Sequence, residues 1–354
     1  MNDSTSHIID DEFKLIKPPK LEIGSTIAFV GLSAAHSVLF PKRLERAKNF
    51  FESQGYSVKF GSTIHKNSDG KSGTIEERVH DFHQQFLDNN VRAIIATTGG
   101  LFCNELLPHL DYELIRTHPK LFCGYSDNTI ISAALLKKSN LSSLYGPCVI
   151  TEFGEYPVPF EYTWKNFIAA ASGELNKITP SSKMTDEFID WFNNDTTSRN
   201  TLTNPGYEWL IPGHAKGRLI GGCVISIRSL TGTEYDFNYD NNILFLDIPE
   251  GDILGKGLSS SRIDSIITDY ENSGKLKNLT GLIVGRLFRQ SIEDQKKIKE
   301  IFYTKLKNYG IPILYGVDIS HSDPMTSVPF GVLSELNSEN NSFNILEQGV
   351  YGNY

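Results

Sequence analysis

The sequence predicts an α/β protein of two domains, a parallel sheet clothed in helices followed by a smaller α/β unit. Three observations predict it. Short β-branched and apolar runs alternate with helical spacing through the first part of the chain, a pattern that puts helices on both faces of a parallel sheet. The polar stretch TPSSKMTDEFIDWFNNDTTSRNTLTNPG at 179–206 interrupts that series, and a second apolar series follows. The length of 354 residues suits about two domains, each able to bury a core.

Each element has its own warrant. Residues 1–20 read as a loose leader ending in KPPK. STIAFVG (25–31) is a buried strand closed by Gly31. PKRLERAKNFFESQG (41–55) carries Leu44, Ala47, Phe50 and Phe51 at helical spacing, with Pro41 at its start and Gly55 as its stop. YSVKFG (56–61) returns to a strand. In TIEERVHDFHQQFLDNN (74–90), Thr74 and Glu77 have capping-box spacing, and Ile75, Val79, Phe82 and Phe86 share a face. RAIIATTGG is a strand, LFCNELLPHL a helix, KLFCGYS a strand and DNTIISAALLKKS a helix. The whole N-terminal domain, residues 1–178, is therefore Rossmann-like or flavodoxin-like, and ligands in such sheets gather at the carboxyl ends of the strands. Gly99, Gly100 and Ser126 fall at those ends. Residues 179–210 form a linker long enough to be functional. The C-terminal domain, 211–354, contains the runs GRLIGGCVISIRSLTG, NNILFLDIPEGD, LTGLIVGRL and IPILYGVDISH, with helices near 262–275 and 292–308. SFNILEQG reads as an edge strand.

Composition excludes several function classes. The net charge is -8 and no dense Lys/Arg cluster is present, so no nucleic-acid footprint is expected. The polar, acidic start MNDSTSHIIDDEF lacks the basic and apolar regions of a secretory signal, and no apolar run reaches the roughly 18 residues of a membrane span. A cytoplasmic protein is expected. Cys103, Cys123, Cys148 and Cys223 are scattered without a CxxC pair, which reads as buried reduced thiols and not as a metal site. No metal or other cofactor is expected. A nicotinamide-type nucleotide fold is excluded because GLSAAHS, not G-x-G-x-x-G, follows the first strand.

GYSDNT carries the chemistry. A serine between strand and helix sits on a tight turn with its hydroxyl projecting from the sheet, and the amide after it points the same way. Ser126 has that place, Gly124 permits close packing before it, and Asp127 opens the helix at its anion-favouring end. The glycines of TTGG leave backbone N–H groups free for an oxyanion or another anion. A nucleophilic serine needs a base and a group to orient it. His321, in GVDISHSDP after an apolar strand, is the candidate base. Asp247, directly after ILFL, and Glu250, just beyond it, are the candidate acids.

The order Ser, acid, His, with GYSD, GRLIGG and GVDISH after successive strands, resembles the LD-carboxypeptidase family from about Lys14 to Gly349. The stretches ATTGGLFCNELLPHLDYELI, PKLFCGYSDNT, LYGPCVITEFG and TDEFIDW…NPGYEWLIPGHAKGRLIGG resemble its microcin C immunity branch more narrowly. The resemblance implies cytosolic serine peptidases, homodimeric and free of metal, whose smaller C-terminal domain is barrel-like. It implies Ser126 as nucleophile, His321 as base, and the amides of Asp127 and Gly100 as oxyanion donors, with Gly99 beside the substrate. It also implies Trp191 as an aromatic platform for a nucleotide base. The substrate would be a small peptide or an aminoacyl-nucleotide: an amide of the microcin C type or, alternatively, a murein tetrapeptide. Two departures stand out. The family's acid is usually a glutamate where this chain has Asp247, and many relatives have asparagine where it has Cys223. Aspartate reaches one methylene less, and the change leaves open a rival of another class, a binding protein with weakened turnover on the same fold.

Overall fold

The computed structural model describes residues 14–253 and 255–352. Five of the six strands of the first sheet are parallel: β1 (Thr26–Val30), β2 (Ser57–Phe60), β3 (Val91–Ala96), β4 (Leu121–Gly124) and β5 (Leu144–Tyr145). Their order is β2-β1-β3-β4-β5. This is the flavodoxin-type order, and its direction reverses between β1 and β3, where a crevice forms at the strand ends. The strands are apolar runs because both faces are covered: Ile27 to Val30 and Ala93 to Ala96 are almost wholly buried. The helices Pro41–Ser53 and Ile75–Leu87 form as the spacing predicts, and Thr74 and Glu77 close a reciprocal capping box. The predicted helix over LFCNELLPHL is instead a 3-10 segment, Cys103–His109. Pro108 lies inside it, and a proline removes the N–H that an α-helix would need there.

After the first sheet come β6 (Lys177–Ile178), a small hairpin of β7 (Lys183–Met184) and β8 (Leu202–Thr203), and then β9 (Glu208–Ile211), β10 (His214–Cys223), β11 (Asn242–Asp247), β12 (Gly281–Gly285) and β13 (Ile313–Val317). β14 (Val328–Pro329), β15 (Leu333–Asn337) and β16 (Ser342–Ile345) complete the strands. The second sheet runs β6-β16-β15-β10-β11-β12-β13-β9, with β10 to β13 parallel and the flanks antiparallel. Among the described residues it is an open sheet edged by β6 and β9, not the barrel-like closure expected. The run SFNILEQG supplies β16, which is not an edge strand because β6 pairs outside it.

The two sheets exchange short strands. β6 precedes the polar stretch yet joins the second sheet, while β14 lies late in the chain and pairs with β5 in the first. Of the predicted leader, residues 1–13 lie outside the described residues. The rest is bound in: Ile16 bridges Leu141, and Pro19 bridges Tyr351. Among the described residues no helix is long and apolar enough to cross a membrane.

Candidate active site

Ser126 stands directly beyond β4, after Gly124 and Tyr125, with φ at 60°, a left-handed conformation rare for a residue with a side chain. Such a turn aims the hydroxyl away from the sheet. Its supports are visible. Asn128 Nδ2 donates to the Thr98 and Tyr125 carbonyls at 3.0 Å each, tying the turn to the TTGG loop. Ser226 Oγ donates to the Ser126 carbonyl at 3.2 Å. A Cβ on Gly124 would lie 2.9 Å from that of Asn128, so the turn closes only on glycine.

The glycine pair lies against the serine. A Cβ on Gly99 would fall 2.8 Å from Ser126 Cβ, 3.0 Å from its Oγ and 3.3 Å from the Asp127 amide nitrogen, so a glycine is needed beside the serine. Gly100 has φ 149° and packs against Ser33 and Ala34, where a side chain would clash. The Asp127 carboxylate does more than open its own helix. Its Oδ2 accepts from Ser33 Oγ at 2.5 Å and from the Phe102 and Cys103 amides at 2.8 and 2.9 Å, so it fastens the glycine loop beside the serine.

The other half of the site comes from the second domain. Asp247 ends β11, opposite Cys223 of β10, and is fully buried. His321 follows β13. Its Nε2 lies 3.0 Å from Ser126 Oγ, and its Nδ1 lies 2.9 Å from Asp247 Oδ2, close enough to pair although the N–H is not aligned on the oxygen. Glu250, half-exposed, approaches Nε2 only to 3.8 Å. Of the two candidate acids, Asp247 thus faces the nitrogen that an orienting carboxylate must hold. Burial pushes the imidazole toward neutrality, but Asp247, Glu250 and Glu152 outweigh it and raise its pKa to about 9. Glu152 is itself buried and lies near Asp323, which together push its carboxyl up to about 7.

Gly222 lets the two domains meet, while Gly221 makes room for the Phe245 backbone on the neighbouring strand β11. Gly222 approaches Thr129 so closely that a Cβ would lie 2.6 Å from Oγ1, and the Cys223 amide donates to that oxygen at 3.0 Å. The polar stretch is fastened beside the histidine by an aspartate of the GVDISHSDP segment to which the sequence assigns no role. Asp318, fully buried, accepts from Ser181 N and Oγ at 2.8 and 3.0 Å, from Asn204 Nδ2 at 3.2 Å and from Tyr207 OH at 3.1 Å, and it pairs with Arg286. Arg199 reaches from the same stretch to Asp323 at 2.6 Å and Glu155 at 3.0 Å. Trp191 begins a short helix capped by Asp190, and packs edge-on against Phe40 at 5.2 Å with the Arg43 guanidinium 4.2 Å from its ring centre. Phe40 in turn touches His36, which bonds Thr98 beside the glycine pair. Trp191 is thus linked to the glycine loop through Phe40, His36 and Thr98. Tyr145 was also passed over; its hydroxyl donates to Asp247 Oδ2 at 2.5 Å and accepts from the Ser126 amide at 3.3 Å. All four cysteines are buried and free. Among the described residues no cluster of His, Cys, Asp and Glu could hold a metal ion.

Comparison with known proteins agrees along the chain. Residues 27–146 match the family described as LD-carboxypeptidase N-terminal domain, and residues 216–336 match LD-carboxypeptidase C-terminal domain. The microcin C7 self-immunity protein MccF of Escherichia coli is 30% identical over 336 residues, covering 93% of this chain and 95% of its own. A probable murein peptide carboxypeptidase of Bacillus subtilis is 28% identical over 339 residues, covering 94% and 95%. The structure of MccF in complex with glutamyl sulfamoyl guanosine superposes with a TM-score of 0.86 at 27% identity, over 95% of this chain and 99% of that one. With both domain matches in sequence order on the folds that carry the serine and the histidine, this chain belongs to the LD-carboxypeptidase family of serine-type peptidases.

Proposed function

We propose that the protein is a serine carboxypeptidase-type hydrolase that cleaves an amide through an acyl-enzyme. The observation that carries this reading is the 3.0 Å contact between Ser126 Oγ and His321 Nε2. His321 Nε2 takes the hydroxyl proton as Ser126 Oγ bonds to the scissile carbonyl carbon. The amides of Asp127 and Gly100 stabilise the oxyanion, and Asp247 holds the imidazole tautomer from Nδ1. When the C–N bond breaks, the proton passes from Nε2 to the leaving nitrogen. Water then attacks the ester by the same route and frees Ser126.

For the substrate, the reading is an aminoacyl- or peptidyl-nucleotide amide of the microcin C type. Trp191, an aromatic residue on the loop that reaches the glycine pair through Phe40 and His36, supports it. MccF is a self-immunity protein and has been seen with a glutamyl sulfamoyl nucleoside, which agrees. The second reading, a murein tetrapeptide, draws on the likeness to the murein peptide carboxypeptidase. A binding protein with weakened turnover is disfavoured because Asp247, though short, comes within 2.9 Å of His321. The test is hydrolysis of an aspartyl-adenylate amide and of a murein L,D-tetrapeptide side by side. Cleavage of the first supports the nucleotide reading. Cleavage of the tetrapeptide alone moves the protein to murein turnover, and cleavage of neither points to the binding protein.

A further inference from the structure

Tyr145 closes a ring of contacts that a serine, a histidine and an acid alone leave open. It ends β5, is wholly buried, and its ring packs edge-on against Phe245 at 5.3 Å and Phe330 at 6.2 Å. Its hydroxyl has one proton, and Asp247 Oδ2 must receive it, because an ionised carboxylate only accepts. The Tyr145 hydroxyl oxygen in turn accepts from the Ser126 amide. The path runs from the Ser126 backbone through Tyr145 to Asp247, on to His321, and back to Ser126 through its side chain. Asp247 Oδ1, by contrast, is buried with no partner among the described residues. The acid's pairing is thus concentrated on the one oxygen that faces the imidazole.

Resting on the hydrolase reading above, we propose that Tyr145 is a positioning residue of the site, which holds Asp247 and the Ser126 backbone in register so that the short side chain of an aspartate can orient the imidazole. An aspartate without that hydroxyl is free to turn about its last bond and offer either oxygen, or neither, to Nδ1. Catalytic geometry is sensitive to displacements near 1 Å, worth about 10²-fold in rate. The hydroxyl also shares its proton with Oδ2 and so weakens the pull of Asp247 on a protonated imidazole. The other groups facing this pair are Glu250 and Glu152, which act on His321, the Tyr125 ring 4.9 Å from the imidazole, and the Cys223 thiol, held protonated by burial beside Asp247. None of them bonds both Asp247 and Ser126.

The experiment is Tyr145→Phe, which keeps the ring packing and removes only the hydroxyl. The rate of Ser126 labelling by a fluorophosphonate, read by intact mass across pH, needs no natural substrate. The variant is expected to label roughly 10- to 100-fold more slowly, with the acid limb of its profile moved to higher pH. A purely structural role would lower the melting temperature without moving that limb. Should the variant fold poorly, the pair Asp247→Glu and Asp247→Glu/Tyr145→Phe provides the second reading: the longer acid should depend less on the hydroxyl, so the loss from Tyr145→Phe shrinks in that background. Wild-type labelling with an unchanged rate and limb in Tyr145→Phe overturns the proposal alone. No labelling of the wild type overturns the hydrolase reading and the proposal with it.

Discussion

Ser126 Oγ and His321 Nε2 stand 3.0 Å apart although 195 residues separate them in the chain. Each comes from a different sheet, so the contact exists only while the two domains hold their docking. That docking includes the approach of Gly222 to Thr129, on the helix that begins just beyond Ser126, the pairing of β14 with β5 and the Ser226 bond to the Ser126 carbonyl.

The first prediction separates the two carboxylates near the imidazole. Asp247→Asn should lower kcat by about 10³- to 10⁴-fold, since an amide in place of the acid presents the wrong tautomer to the serine. Glu250→Gln should cost less than about tenfold, because Glu250 is half-exposed and stands on the Nε2 side. Steady-state kinetics of the two variants checks this; a larger loss in Glu250→Gln would reverse the assignment of the acid.

The second concerns pH. The base must be neutral to accept the serine's proton, and the carboxylates around His321 raise its pKa to about 9. kcat/KM of the free enzyme should therefore climb as pH rises from 7 toward about 9. Glu250→Gln should move that limb to lower pH. Because the folded state holds this proton more tightly than the unfolded chain, the contribution of His321 to stability is complete below about 6.5 and is lost as pH rises through about 9. Melting temperatures of wild type and His321→Ala across that range should converge toward the alkaline end.

The third uses the space beside the serine. Gly99→Ala places a methyl against Ser126 and near the Asp127 amide, and should cost about 10²-fold or more in kcat by displacing the nucleophile and crowding that amide. Circular dichroism should show the fold retained. Near-normal turnover in this variant would place the oxyanion elsewhere.

The local part of this site was legible in the sequence and the long-range part was not. Ser126 and the glycine pair stand out because a strand, a turn and a helix are written within a dozen residues. His321 and Asp247 follow from the apolar runs they end. Tyr145 and Asp318 carry no such signal: each looks like one more residue of a strand end, and its work depends on partners about a hundred residues away or more. Asp127 was read as a favourable charge at its own helix, whereas its carboxylate binds amides on another loop. The openness of the second sheet, the inner place of β16 and the strand exchange through β6 and β14 are matters of pairing. A two-residue strand has too little periodicity to announce its partner.

The fourth prediction tests the substrate. A base stacked on an aromatic side chain is worth about 1–3 kcal/mol. Trp191→Ala should then slow cleavage of an aspartyl-adenylate amide roughly 5- to 150-fold, at about 1.4 kcal/mol per tenfold. A murein tetrapeptide has no base to stack and should respond much less. Equal losses on both would leave Trp191 as a packing partner of Phe40 and Arg43.

Whether Ser126 is the nucleophile is tested most directly by intact mass after exposure to a fluorophosphonate, wild type against Ser126→Ala. The account predicts one adduct per chain on the wild type, mapped to the GYSDNT peptide, and none on the variant. It further predicts that Ser126→Ala keeps its melting temperature while losing about 10⁴-fold or more in kcat. An adduct on the variant, or turnover within about tenfold of wild type, would contradict it.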